Sequence, residues 1–241
     1  MDFTYNPGLV ALSIAVAVLG SFTGLVMTTD LRRVGRLEAA LRIVLGGLGV
    51  GGGIWSMHFI AMLAVKLPIK LSYDIPETVA SAIVAVVFTS VALWIVAYNK
   101  FGKLTLPLSA LLLGGGIASM HYLGMSAIRG CAMQYSGIGV IISVGIAVQA
   151  SAVALWFAFR QRGVIDTLLG SVALGLAIAS MHYAGMEATR FVPLQTVSDL
   201  RNVFTDAYLA VAVAVMLYSI CGVCMVVFAI LTFARRRPAR L

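Results

Sequence analysis

The sequence predicts an all-α, polytopic membrane fold of seven transmembrane helices, and three observations carry that prediction. Hydrophobic residues make up 61% of the chain and charged residues 11%, with a mean hydropathy of +1.02, outside the range of a soluble globular domain. Apolar runs long enough to be helices of about 20 residues, the length that crosses a hydrocarbon core about 30 Å thick, recur along the chain. A short histidine-containing word also returns three times, at intervals that each hold two such runs.

The expected helices lie at 8–29, 40–65, 78–98, 104–128, 137–159, 166–188 and 206–234. The first follows an acidic head, Met1–Gly8, that lacks the basic region of a cleaved signal. The second carries a glycine run from Gly46 to Gly53 and the first histidine word, and Lys66 marks its end. The third bears Trp94 and Tyr98 near one end, and the fifth bears Trp156, as an interfacial aromatic belt requires. The fourth and sixth carry the other two words and end near Arg129 and Arg190. The seventh stands outside the repeat and runs into the basic tail "ARRRPARL".

Basic residues orient the bundle. With the N-terminus outside and the C-terminus inside, twelve face the cytoplasm: Arg32, Arg33, Arg36, Arg42, Lys100, Lys103, Arg160, Arg162, Arg235, Arg236, Arg237 and Arg240. Five face outward: Lys66, Lys70, Arg129, Arg190 and Arg201. This asymmetry selects the N-out, C-in topology. The net charge of +8 is then accounted for by anchoring to the inner leaflet, with no nucleic acid required. Cys131, Cys221 and Cys224 are odd in number and form no disulfide framework; the Cys221–Cys224 spacing matches a metal or redox pair, but its position in the middle of the last span favours helix packing.

The repeated words are "WSMHFIAM" at Trp55–Met62, "ASMHYLGM" at Ala118–Met125 and "ASMHYAGM" at Ala179–Met186, and they contain every histidine of the chain: His58, His121 and His182. The histidines are 63 and 61 residues apart, so a unit of two spans recurs, with approximate repeats 8–66, 78–128 and 137–188 inside a single domain, 1–241. An even number of spans preserves direction, which places all three histidines on helices running from inside to outside. Gly51, Gly114 and Gly175 stand seven residues before each histidine, and small residues there are expected to let the three motif helices approach one another.

Each histidine is eight residues before a basic boundary residue, which puts all three imidazoles about 12 Å below the outer surface. Polar side chains at that depth face a bundle interior and mark function. Methionine precedes each histidine (Met57, Met120, Met181) and follows it by four residues (Met62, Met125, Met186), and the i, i+4 pair shares a helix face. Imidazole and thioether together favour copper, Cu(I) above all, over oxygen-seeking cations.

Three words of the form Ser-Met-His-aromatic-x-x-Met on alternate helices of a seven-helix bundle resemble the MHYT domain of bacterial membrane signalling proteins, across nearly the whole chain. That resemblance implies a sensor in the bacterial cytoplasmic (inner) membrane that binds copper through Met57 and His58, Met120 and His121, and Met181 and His182, and thereby detects a diatomic gas, O2, CO or NO. The sequence departs from the family's name at Ile60, Leu123 and Ala184, where threonine stands, and at Phe59, where tyrosine stands. Many family members continue into cytoplasmic domains that make or degrade cyclic di-GMP, so the resemblance also implies either a fused output domain or a separate cytoplasmic signalling partner.

Two other readings use the same residues. Paired histidines on facing helices could ligate a b-type haem, although three equivalent histidines suit two axial positions poorly. A copper-handling transporter would need ligands through the whole membrane, whereas the inner halves of the motif helices offer glycine, alanine and leucine. Enzyme activity is not expected, because no nucleophile–base pair stands out. Cys131 and Met133, in the outer segment "RGCAMQYSG", are a candidate entry site for metal, and Glu187 reads as a helix-end charge near Arg190.

Overall fold

The computed structural model describes residues 3–29, 31, 34–98, 104–160, 164–193 and 203–236. Seven helices are long and apolar enough to cross a membrane. They are α1 (Pro7–Met27), α2 (Arg36–Leu63), α3 (Ile75–Tyr98), α4 (Thr105–Ser126), α5 (Gly137–Arg160), α6 (Val164–Glu187) and α7 (Asp206–Arg236). Local chemistry sets their ends. Asn6 caps α1, its side-chain oxygen accepting from the Gly8 and Leu9 amides, with Pro7 in the first turn. Helix α2 begins at Arg36, four residues before the sequence expectation, because its polar first turn is closed by a Glu38–Arg42 ion pair at 3.0 Å with i,i+4 spacing.

The motif helices stop slightly short of the expected ends because the following residues form strands. Seven short strands lie at one end of the bundle: β1 (Thr4–Tyr5), β2 (Val65–Lys66), β3 (Ser72–Asp74), β4 (Ile128–Arg129), β5 (Cys131–Tyr135), β6 (Thr189–Pro193) and β7 (Val203–Phe204). They pair antiparallel as β1–β2, β4–β3–β7 and β5–β6. Each repeat is thus a strand, two helices and a strand that returns to the first. Equivalent backbone bonds close all three units: Asn6 donates to the Ala64 carbonyl (2.8 Å), Asp74 to Ala127 (2.7 Å) and Ser136 to Ala188 (2.9 Å). Lys66, Lys70, Arg129 and Arg190 belong to this strand-bearing end, which the charge distribution assigns to the outside; Arg36, Arg42, Arg160, Arg235 and Arg236 belong to the other. Arg32, Arg33, Lys100, Lys103, Arg162, Arg201, Arg237 and Arg240 lie outside the described residues.

The six repeat helices form a closed ring in which α1 packs on α2, α2 on α3, and so on until α6 packs on α1, while α2, α4 and α6 also touch one another inside. The glycines seven residues before the histidines do not mediate that inner contact, contrary to expectation. They hold the junctions between repeats. A methyl group at Gly51 would lie 2.7 Å from Val86 Cα on α3, at Gly114 2.5 Å from Val148 Cα on α5, and at Gly175 2.9 Å from Val18 Cα on α1. Backbones this close exclude any side chain.

Helix α7 breaks the threefold arrangement by lying against α2 and α1. The Ile220 side chain fills the space over Gly52, where a methyl would come within 2.7 Å of it. Ser56 is consequently buried, whereas its equivalents Ser119 and Ser180 are exposed on the outer faces of α4 and α6. The cysteines of α7 join the same contact, Cys224 Sγ approaching the Leu45 carbonyl at 3.6 Å and Cys221 Sγ the Thr23 hydroxyl at 3.7 Å. This is the packing role that their position in the last span suggested.

Gly114→Leu is expected to cost about 1–3 kcal/mol by overpacking, which for a chain of this size lowers the thermal midpoint by several degrees. Gly115→Leu, at the next residue and with nothing within 4 Å of its would-be side chain, should leave the midpoint unchanged. Thermal unfolding of both variants in one detergent checks the pair.

Candidate metal centre

The threefold arrangement carries the histidines to one point. His58 on α2, His121 on α4 and His182 on α6 are each at most 2% exposed. Their Nδ1 atoms form a nearly equilateral triangle with sides of 3.1, 3.2 and 3.2 Å. The rings stand nearly perpendicular to one another, with centroids 5.0 Å apart in each pair. They form a propeller with its nitrogens at the hub.

The Nδ1 atoms stand at hydrogen-bond distance of one another, with donor and acceptor roles set by the tautomer, and with all three carrying lone pairs the hub takes another electrophile in place of a proton. A neutral imidazole nitrogen has one in-plane position, filled either by a proton or by a lone pair. Three such positions directed at one centre hold a single shared electrophile. The triangle's centre lies about 1.8 Å from each nitrogen, close to the length of a metal–imidazole bond, about 2.0–2.1 Å, so the three nitrogens would hold one ion between them. The donor set fits a metal ion, and it is the group of His, Cys, Asp and Glu ligand atoms found close enough to hold one among the described residues.

The Nε2 atoms face outward, buried and without a hydrogen-bond partner. Beside His58 and His121 the neighbouring motif helix carries no side chain. A methyl at Gly124 would lie 2.5 Å from His58 Nε2, and one at Gly185 would lie 2.5 Å from His121 Nε2. Both glycines stand three residues after a motif histidine, and Ala61 holds the same position on α2. The His58 and His121 rings are therefore wedged against the next motif helix with Nδ1 turned inward. Nothing in the sequence spacing alone distinguished this use of glycine from ordinary close packing.

The aromatic residue after each histidine braces its ring edge-on: Phe59, Tyr122 and Tyr183 lie 4.8, 4.9 and 5.0 Å from His58, His121 and His182 between centroids. Ser143 Oγ donates to the Val140 carbonyl at 2.9 Å, which leaves its oxygen to accept from the Tyr122 hydroxyl at 2.7 Å. Ser13 repeats the arrangement, donating to Val10 (2.7 Å) and accepting from Tyr183 (3.1 Å). In the first repeat Phe59 has no hydroxyl. There Trp55 Nε1 donates to the Thr78 carbonyl at 3.0 Å, alongside Ser81 Oγ at 2.7 Å, so an indole ties α2 to α3 where a phenol serves the other repeats. The looser word "WSMHF" thus changes two residues together, and sequence spacing had no means of linking them.

Met57, Met120, Met181, Met62, Met125 and Met186 are all buried, each at most 1% exposed. Met62, Met125 and Met186 stand one turn nearer the strand-bearing end than the histidines, on the same helix faces. Four residues on the other side come Ile54, Ile117 and Ile178, and four further Val50, Leu113 and Leu174, all buried and all apolar. The inner half of the bundle therefore closes the centre with a hydrocarbon floor. Cys131 is buried in β5 instead of offering an accessible entry site, and burial pushes its thiol pKa up, which disfavours the thiolate a soft metal needs; Met133 is half-buried beside the Tyr135 hydroxyl at 3.5 Å.

Gly124→Ala should push the His58 ring off the hub and lower the thermal midpoint of the purified protein in detergent. Gly137→Ala, with open space around it, should leave that midpoint unchanged.

The family model described as "MHYT: Bacterial signalling protein N terminal repeat" matches residues 1–41, 51–107, 114–171 and 175–241. The chain is 39% identical over 231 residues to the bifunctional diguanylate cyclase/cyclic di-GMP phosphodiesterase MucR of Pseudomonas aeruginosa, covering 93% of this chain and 34% of that protein. It is 40% identical over 194 residues to the cyclic di-GMP phosphodiesterase NbdA of the same organism (77% and 24%) and 33% identical over 195 residues to the signaling protein YkoW of Bacillus subtilis (78% and 24%). It thus spans a quarter to a third of the length of these relatives. No solved structure matches it. The chain belongs to the MHYT family, as a multi-pass membrane signalling domain.

Proposed function

We propose that this domain binds one Cu(I) ion at the three Nδ1 atoms and uses it to sense a diatomic gas, O2, CO or NO, on behalf of a cytoplasmic output. The observation that carries the reading is the convergence of His58, His121 and His182 within 3.2 Å at a site that contains no acid. The described acidic residues all stand at the ends of helices or in the strands: Glu38, Asp74, Glu77, Asp166, Glu187 and Asp206. A cation at the hub is therefore compensated by neutral ligands alone. The self-energy of a buried charge grows with its square, so a divalent ion costs about four times as much here as a monovalent one. Neutral imidazole and thioether donors favour the same ion.

Held by His58, His121 and His182, a Cu(I) ion would supply a soft centre able to take a small neutral gas. The chain's own residues decide access. The isoleucine and leucine layers exclude water and ions from the inner side, and Met62, Met125 and Met186 offer thioethers on the outer side for capture or for a further bond. A haem suits the centre poorly, because nitrogens 3.1–3.2 Å apart leave no width for a porphyrin between them. A transport path suits it poorly as well, because the ligands end at the apolar floor. The names of the relatives direct the output toward enzymes that make or degrade cyclic di-GMP, in a fused domain or a separate partner.

Elemental analysis after reconstitution under reducing conditions should find one copper per chain, displaced by Ag(I) and not by Zn(II). Carbon monoxide should add an infrared C–O stretch to the copper-loaded protein alone. His121→Ala should abolish the single tight ion. Retention of two-thirds of the tight binding would show separate sites, and absence of copper in the parent would overturn the reading.

A further inference from the structure

The three arms that hold the histidines differ in one respect. In the second and third, the motif tyrosine is hydrogen-bonded to a serine on the adjoining outer helix, Tyr122 to Ser143 and Tyr183 to Ser13. The rings they meet in the strand cap, Tyr135 at 5.4 Å and Tyr5 at 5.4 Å, belong to β5 and β1, whose strand partners β6 and β2 lie within the same repeats. In the first arm, Phe59 has no hydroxyl to anchor it and leans edge-on against Tyr73 at 5.8 Å. Tyr73 is buried in β3, where its backbone pairs with Ile128 on one side and Phe204 on the other. Phe204 ends β7, and the chain passes through Thr205 directly into α7, the Leu209 amide donating to the Thr205 carbonyl at 2.8 Å.

The same arm meets α7 along the membrane as well. Helix α2 is the motif helix against which α7 packs, with Ile220 over Gly52 and Cys224 Sγ on the Leu45 carbonyl. Helix α7 then runs to Arg236, at the end of the bundle opposite the strands.

We propose that α7 reads the histidine centre through the α2 arm alone, with Phe59 and Tyr73 as positioning residues that transmit a shift of the His58 ring to β3, β7 and the first turns of α7. This rests on the reading of the centre as a ligand-responsive site. Occupation of the hub draws three rings to one ion. The two rings held by phenol–serine bonds resist that adjustment, whereas the Phe59 ring carries no hydrogen bond of its own, its helix being tied to α3 through Trp55 instead, and yields to it. A ligand shifts such an equilibrium only through its different affinity for the two packings, and the first arm is where the two can differ. Edge-to-face contact carries the shift because close-packed rings have no free volume in which to absorb it.

The test is amide hydrogen exchange of the full chain in lipid nanodiscs, with and without Cu(I), following peptides over 203–215. In the parent, Cu(I) should change exchange there and at 72–74. Phe59→Tyr recreates the motif of the other two arms opposite Ser81, so it should keep the copper stoichiometry and lose the response at 203–215. Tyr122→Phe removes an anchor from an arm whose ring meets Tyr135 of β5 rather than β3, and should keep both. The metal-free protein supplies a second comparison. His58→Ala should alter exchange at 203–215, and His121→Ala should not. A copper response at 203–215 that survives Phe59→Tyr, or equal effects of the two histidine variants on that segment, overturns the proposal. Failure of the parent to take up copper overturns the metal reading instead, and the histidine variants still decide the route.

Discussion

Three imidazole nitrogens meeting at one point inside an apolar bundle form the constraint on which the rest of the molecule depends. At membrane depth an unpartnered polar group costs several kcal/mol, and no water is at hand to relieve it. Each element near the hub limits how the rings can respond. The motif helices bury them, glycine on the neighbouring helix wedges the outer ring edge, and an aromatic side chain fixes the ring plane. With rotation removed, the Nδ1 atoms have no alternative partner. A centre held this way is preorganised, its three nitrogens fixed about one point before anything binds.

The pseudo-threefold ring supplies that constraint at low cost in sequence. Each two-helix unit cannot bury its own histidine, since the hub requires one contribution from every repeat. Closure of the ring by α6 on α1 therefore completes the core and the centre together. Glycines do two jobs in this closure. Gly51, Gly114 and Gly175 bring motif helices against the outer helix of the next unit, while Gly124 and Gly185 make room for a ring nitrogen. The strand pairs at the outer end fasten the two ends of each unit, so helix register is set at the same side of the membrane as the histidines.

Departure from threefold symmetry is confined to one side. Helix α7 covers α2 and buries Ser56, and the first word alone replaces alanine and tyrosine with Trp55 and Phe59. The indole's bond to the Thr78 carbonyl ties α2 to α3 at the level where phenol–serine bonds tie the other motif helices to their neighbours. The repeat that meets the seventh helix is thus the one whose bracing chemistry differs, and the asymmetry joins a symmetric centre to a single helix leaving it.

How much of this was legible in the sequence follows from the range of the forces involved. Helix number and approximate limits, the common depth of His58, His121 and His182, and the shared face of each histidine with the methionine four residues on are set by chain-local properties: apolar run length, rise per residue and the 3.6-residue period. The repeat even determined that equivalent residues surround an axis. Tertiary structure decided the rest, because distances between helices depend on side chains remote in sequence. It alone turned Nδ1 inward, through glycines on the following motif helix; it moved Gly51, Gly114 and Gly175 from the inner contact to the junctions between repeats; and it withdrew Cys131 into a strand. Whether three histidines at one depth make one site or three is a matter of a few ångströms between helix axes, and that is fixed by which side chains are absent where the helices touch.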